Sequence, residues 1–104
     1  MAEYYECGKG WESLILQAEA IVCKYNQEHP DDEQIEFTQI KEKFGQLRLY
    51  IWSHIKEVDS QLRELEKQSL NICEECGKPA QIRKYHNWLY TLCDDCLNRL
   101  SNYE

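Results

Sequence analysis

Residues 73–96 read CEECGKPAQIRKYHNWLYTLCDDC, and the reading of this stretch decides the fold. Two C-x-x-C pairs, Cys73 with Cys76 and Cys93 with Cys96, are separated by sixteen residues. In each pair the chain curls into a knuckle that turns both thiolates toward one point. Two facing knuckles complete a tetrahedron, so the spacing is that of a four-thiolate Zn2+ site. Gly77 follows the first pair, where a knuckle often needs a positive φ.

The residues between the pairs support this. QIRKY (81–85) and WLYTL (88–92) read as two short strands joined near His86 and Asn87. The second pair then opens a helix, CDDCLNRLSNYE, with Asp94 and Asp95 in its first turn, where the helix dipole favours anions. Knuckle, hairpin and ligand-bearing helix describe a treble-clef-like finger. With sulfur at all four positions, the single Zn2+ has no open site for water and is structural, its binding energy serving as folding energy. Four thiolates on a divalent ion leave a charge of about −2, which Lys78, Arg83 and Lys84 can offset. The competing readings are reduced, unliganded thiols and a thioredoxin-like redox pair; the latter lacks a surrounding βαβ pattern.

Outward from this segment, residues 1–72 read as a helical α+β body on which the finger (73–104) packs, the two forming one α+β structural unit. A chain of 104 residues is one domain with a modest core. GWESLILQAEAIVCKYNQEH (10–29) is a helix whose Trp11, Leu14, Ile15, Ala18, Val22 and Tyr25 share a face. Pro30 and the acidic cluster after it end that helix. SHIKEVDSQLRELEKQSLNI (53–72) is a second helix, with Ile55, Val58, Leu62, Leu65 and Ile72 at 3–4 spacing, Ser69 within the series and Ser53 as N-cap. Residues 35–52 are less regular. Ile35 and Phe37 alternate like a strand. Ile40, Phe44 and Leu47 then fall at helical spacing, predicting one or two turns ended by Gly45, while Leu47, Leu49 and Ile51 alternate like a strand. A hairpin turning at KEKFG is the competing assignment. Cys23 borders the first helix's apolar face and reads as a buried small hydrophobe, and Cys7 as a free thiol.

The formal net charge is −7, of which residues 1–72 (14 acidic, 8 basic side chains) carry −6. That balance argues against general nucleic-acid binding, which needs a basic face. It suits a soluble protein, a binder of basic protein surfaces, or an acidic mimic of nucleic acid. The N-terminus has neither the basic start nor the apolar run of a signal peptide, and no stretch approaches the length of a membrane span, so a reducing, cytoplasmic setting is expected. His86 lacks the acidic residue before it and the helix-borne histidine after Cys96 that an HNH-type nuclease needs. No phosphate-cradling glycine loop, HExxH or Ser/His/Asp set is present. These features point to a binding protein and not to an enzyme.

GW at 10–11 with Leu14, IKEKFGQLRLY at 40–50, Ser69, CEECGKP at 73–79 and WLYTLCDDC at 88–96 together resemble a family of small bacterial and phage proteins of uncharacterised activity. The resemblance implies a zinc-bearing single domain, often phage-linked. The zinc segment is also similar to that of the DksA/TraR factors, whose helical hairpin with an acidic tip is echoed by two helices expected to flank HPDDE. Two readings of the KEKFG block stand side by side. In one, Phe44, Leu47 and Leu49 are core. In the other, Lys41, Lys43, Arg48, Tyr50 and Trp52 form an exposed cationic and aromatic patch for a partner or ligand. The expected function is stoichiometric association with a host or bacterial protein, as a defence-system inhibitor or toxin immunity protein. An RNA-polymerase-binding regulator of the DksA/TraR kind and a nucleotide-binding sponge, with Arg48 holding phosphate, are the alternatives.

Overall fold

The structure, a computed structural model, describes residues 5–53 and 55–102; His54 and the last two residues of the expected C-terminal helix lie outside them. It is α+β, and the described residues form three helices and two small sheets. The order is β1 (Tyr5–Glu6), a 3-10 turn (Lys9–Trp11), α1 (Glu12–Glu28), β2 (Phe37–Lys43), β3 (Gln46–Ile51), α2 (Lys56–Ser69), β4 (Gln81–Tyr85), β5 (Trp88–Leu92) and α3 (Asp94–Asn102).

α1 buries the expected stripe. Trp11, Leu14, Ile15, Ala18 and Val22 meet Val58, Leu62 and Leu65 of α2 and Ile40, Leu47 and Leu49 of the sheet, with Tyr25 packed at the margin. α1 ends where His29 stacks on Tyr25 and its Nδ1 donates to the Tyr25 carbonyl. The acidic loop that follows is pinned by Asn26, whose side-chain amide both donates to and accepts from the backbone of Ile35.

The helical turns expected around Ile40–Leu47 are absent. This stretch is the β2–β3 hairpin, closed by a two-residue turn at Phe44 and Gly45, both at positive φ (54° and 78°). Turns of this hand match the twist of the flanking strands, and glycine adopts the required φ without a Cβ penalty. The helical spacing was a coincidence of two strands: Ile40 and Leu47 are buried one on each side of the turn, and Phe44 at its tip is exposed. The residues after HPDDE therefore form a strand, and no helical hairpin with an acidic tip forms there. A register shift between Phe37 and Gln39 lets Phe37 pack on the core.

Ser53 is not the N-cap of α2. Ile55 occupies that position in extended conformation, and the Ser53 hydroxyl accepts from the Ile55 N–H outside the helix. Cys23 is exposed, in a shallow groove with Leu16, Ala20 and Phe37, because its angular position on α1 falls just past the buried stripe.

A polar row on α2 serves the outer edge of β3. The Ser69 hydroxyl accepts from Leu47 N–H at 2.9 Å, Glu66 Oε2 accepts from Leu49 N–H at 2.7 Å, and Arg63 donates to the Leu49 carbonyl at 2.7 Å. An exposed edge strand is a template for unwanted pairing. Here the helix occupies its donors and acceptors, which explains the burial of Glu66 and Ser69.

Candidate metal centre

The first knuckle is a loop knotted by its own backbone. Cys73 N–H donates to the Lys78 carbonyl (2.7 Å), Gly77 N–H donates to the Cys73 carbonyl (2.9 Å), and Gly77 takes φ 83°. An isolated bridge between Ile72 and Pro79 closes its base. The second knuckle is the first turn of α3. Leu97 N–H donates to the Cys93 carbonyl, and Cys96 N–H points at Cys93 Sγ. The hairpin between them has the expected strands, turning at His86 and Asn87, both at positive φ.

This brings Cys73, Cys76, Cys93 and Cys96 together, with all four Sγ atoms within 4.8 Å of one another and Cys76 and Cys93 at 3.6 Å. Metal–thiolate bonds of about 2.3 Å place the corners of a tetrahedron about 3.8 Å apart. The observed spacing fits that figure and is far outside the ~2.05 Å of a disulfide. The residues present therefore fit a tetrahedral metal held by four thiolates. Cys73, Cys93 and Cys96 are buried, and Cys76 is the exposed corner.

The thiols are electrostatically divided. Burial opposes ionisation of Cys73, but N–H donors from Cys93, Cys76 and Glu75 bring it below the usual thiol value. The Cys96 N–H lowers Cys93 to about 7. Burial raises Cys96 to about 12, with the neighbouring sulfurs adding to the effect. Cys76 is raised as well: the Lys78 N–H works against this, but desolvation and neighbouring sulfurs outweigh it. Four thiolates cannot share so small a volume without a cation, and a bound metal supplies one.

Two of the expected counter-charges are engaged elsewhere. Lys78 pairs with Asp95 at 3.7 Å, and Arg83 pairs with Asp94, so both hold the first turn of α3 and neither contacts a sulfur. Lys84 is exposed. The cation on the cluster is Arg99, whose Nη2 donates to Cys96 Sγ at 3.2 Å. Its place one helical turn after Cys96 was the available signal.

The metal segment is wedged against the body at three places. Gly10 N–H donates to the Glu74 carbonyl (2.9 Å), and the Trp11 indole N–H donates to the Ile72 carbonyl (2.8 Å). The fit is so close that a Cβ on Gly10 would collide with the Cys73 carbonyl oxygen and come within 2.7 Å of Gly77 N. On the other side, the fully buried Thr91 donates its hydroxyl to the Gly45 carbonyl at the tip of the β2–β3 hairpin. Between them lies Glu74. It is buried, it accepts from Thr91 N–H through Oε2, and burial pushes its carboxyl up to about 7. Cys7 packs on the core, and burial raises its thiol to about 11, with Glu74 and Glu42 adding to the effect.

Of the core expected from the KEKFG block, Leu47 and Leu49 are buried, whereas Phe44 is exposed at the turn. The block's inner side is structural: Ile40, Leu47 and Leu49 are core, and Glu42 accepts from Gly45 N–H at 2.7 Å. Its outer side gathers the proposed patch. Lys41 is the cross-strand partner of Arg48, the Lys41 ammonium lies 5.6 Å from the Tyr50 ring centroid, and Lys43 lies beside the turn. Trp52 is 73% exposed just past β3.

Comparison with protein-family models, curated proteins and solved structures gives no match. Among the described residues no helix is long and apolar enough to cross a membrane.

Proposed function

We propose that this chain is a zinc-stabilised binding protein that acts by stoichiometric association with a host protein rather than by catalysis. The metal is Zn2+. A donor set of four thiolates at tetrahedral spacing suits zinc, and a shell closed by sulfur leaves no coordination position for substrate or water. The ion holds the finger in shape, and the finger holds the body through Gly10, Trp11 and Thr91.

The observation that carries the binding role is the outer side of the β1–β2–β3 sheet. It presents Lys41, Lys43, Arg48 and Tyr50 on one side of a rigid hairpin, with Trp52 at the end of β3. Arg, Tyr and Trp are the residues that most often anchor protein interfaces. The resemblance to phage-linked proteins supports a partner in a bacterial host, and a cytoplasmic inhibitor of a defence system or an immunity protein for a toxin is the reading that follows.

The test has two stages. Metal analysis of protein purified without chelator is expected to give one zinc per chain. Affinity capture from host lysate, followed by light scattering of the reconstituted pair, is expected to give a complex of fixed stoichiometry. Metal-free protein that stays folded would remove the zinc assignment, and failure of every captured candidate to form a defined complex would remove the binding role.

A further inference from the structure

Resting on that reading, we propose that the outer side of the β1–β2–β3 sheet docks an acidic segment of the partner protein. A carboxylate of that segment meets the terminal nitrogens of Arg48, its neighbours meet Lys41 and Lys43, and Trp52 packs against its apolar part.

The argument starts from charge. The chain carries −7 overall, yet this side of the hairpin presents three cations. Among the described side chains no carboxylate lies within ion-pair distance of Lys43 or Arg48, whereas Lys24, Lys78 and Arg83 each have one and Arg63 has two. β1 reaches only as far as Lys41, with Glu6 in register beside it, so Lys43 and Arg48 lie beyond its backbone pairing. The Arg48 guanidinium donates no hydrogen bond among the described residues, and its Nε is enclosed without an acceptor. An arginine left in this state satisfies its remaining donors best with a planar anion, which a carboxylate provides.

Shape and ring placement narrow the ligand. The cations stand on paired strands rather than in an enclosing cleft, whereas small-molecule sites bury most of their ligand's surface. The Tyr50 ring lies beneath the Lys41 ammonium and the Phe44 ring beneath that of Lys43, at 5.6 and 5.8 Å. Ring faces engaged in this way are poor platforms for stacked bases. A nucleic-acid strand would also extend past the patch onto acidic surface, whereas a short acidic segment need cover only the patch, and charges beyond about 8 Å are screened at physiological salt.

The experiment titrates zinc-loaded, 15N-labelled protein with a short Glu- and Asp-rich peptide, with its Gln/Asn counterpart, and with an oligothymidylate of similar length. The acidic peptide is expected to shift the amides of Lys41, Lys43, Arg48 and Tyr50 and the Trp52 indole. The neutral peptide should leave them in place, and added salt should weaken the effect. Arg48→Ala is expected to weaken binding about tenfold or more. Lys43→Glu, an exposed charge reversal with little bearing on folding, should do the same if Arg48→Ala disturbs the spectrum globally. Shifts spread over Lys24, Lys56 and Lys67, no shifts at all, or stronger binding of the oligothymidylate would each overturn the proposal. A partner complex that Lys43→Glu leaves intact would overturn it while leaving the broader binding role standing.

Discussion

Replacing Gly10 with alanine tests how the metal knuckle holds the body. In a 3-10 turn leading into a helix, alanine should help, since glycine costs up to about 1 kcal/mol relative to alanine in helical backbone. The structure demands the opposite sign. The new Cβ would occupy the space of the Cys73 carbonyl oxygen and stand 2.7 Å from Gly77 N and 2.8 Å from the Glu74 carbonyl carbon. Both are rigid backbone, so the turn and the knuckle must separate by roughly an ångström. That breaks the 2.9 Å bond from Gly10 N–H to the Glu74 carbonyl, a net loss of about 1 kcal/mol. It also strands the Trp11 indole N–H, now bonded to the Ile72 carbonyl, at about 1–3 kcal/mol. A total near 3 kcal/mol lowers the melting temperature of a domain this size by about 12–24 °C. Because metal binding and folding are coupled, apparent zinc affinity should fall with it. Melting followed by circular dichroism in excess zinc, with chelator competition for affinity, gives both numbers. A melting temperature equal to or above that of the parent would refute the close-approach argument and return Gly10 to an ordinary turn residue.

Glu66→Ala removes the acceptor for Leu49 N–H and a carboxylate beside Arg63, and should cost about 2–3 kcal/mol in urea unfolding; an unchanged midpoint would show that α2 does not hold the β3 edge. Thr91→Val keeps the shape but leaves the Gly45 carbonyl without its donor, so about 1–2 kcal/mol should be lost with metal content unchanged. Arg99→Ala should weaken zinc binding roughly tenfold without lowering stoichiometry, because Arg99 donates to Cys96 Sγ. Chelator at neutral pH should unfold the body as well as the finger, read by loss of the buried Trp11 environment, and acid should do likewise as protons displace the metal from its thiolates.

The finger was legible because its chemistry is local. Two cysteine pairs fix ligand geometry within a few residues, and β4, β5 and the start of α3 fall where turn and helix signals put them. α1 was legible because one face meets one core. Residues 40–47 were not, because their periodicity sums over two strands: Ile40 and Leu47 are buried from opposite arms of a hairpin, and only strand pairing distinguishes that from one helical face. The roles of Glu66 and Ser69 were hidden for another reason. Their partners are backbone donors on β3, and a strand's N–H groups leave no mark in the identity of its residues.

The same reasoning links the separate motif blocks. GW at 10–11, the turn of KEKFG and the threonine of TLCDDC each touch the metal segment, through Trp11 on Ile72, Gly10 on Glu74 and Thr91 on Gly45. None of these contacts reaches the metal ligands' sulfur atoms; all act through the backbone that carries the ligands. A metal held by the four cysteines would therefore do more than close a loop of sixteen residues. By fixing the path of residues 73–76 and 91–93, it would help set where the first helix begins and where the β2–β3 turn rests, since both are bonded to that path. The outer residues of that hairpin, Lys41, Lys43 and Arg48, project from the side opposite the core residues Ile40, Leu47 and Leu49. The alternation of strands thus lets one short block join the metal segment to the core on one side and carry its cations on the other.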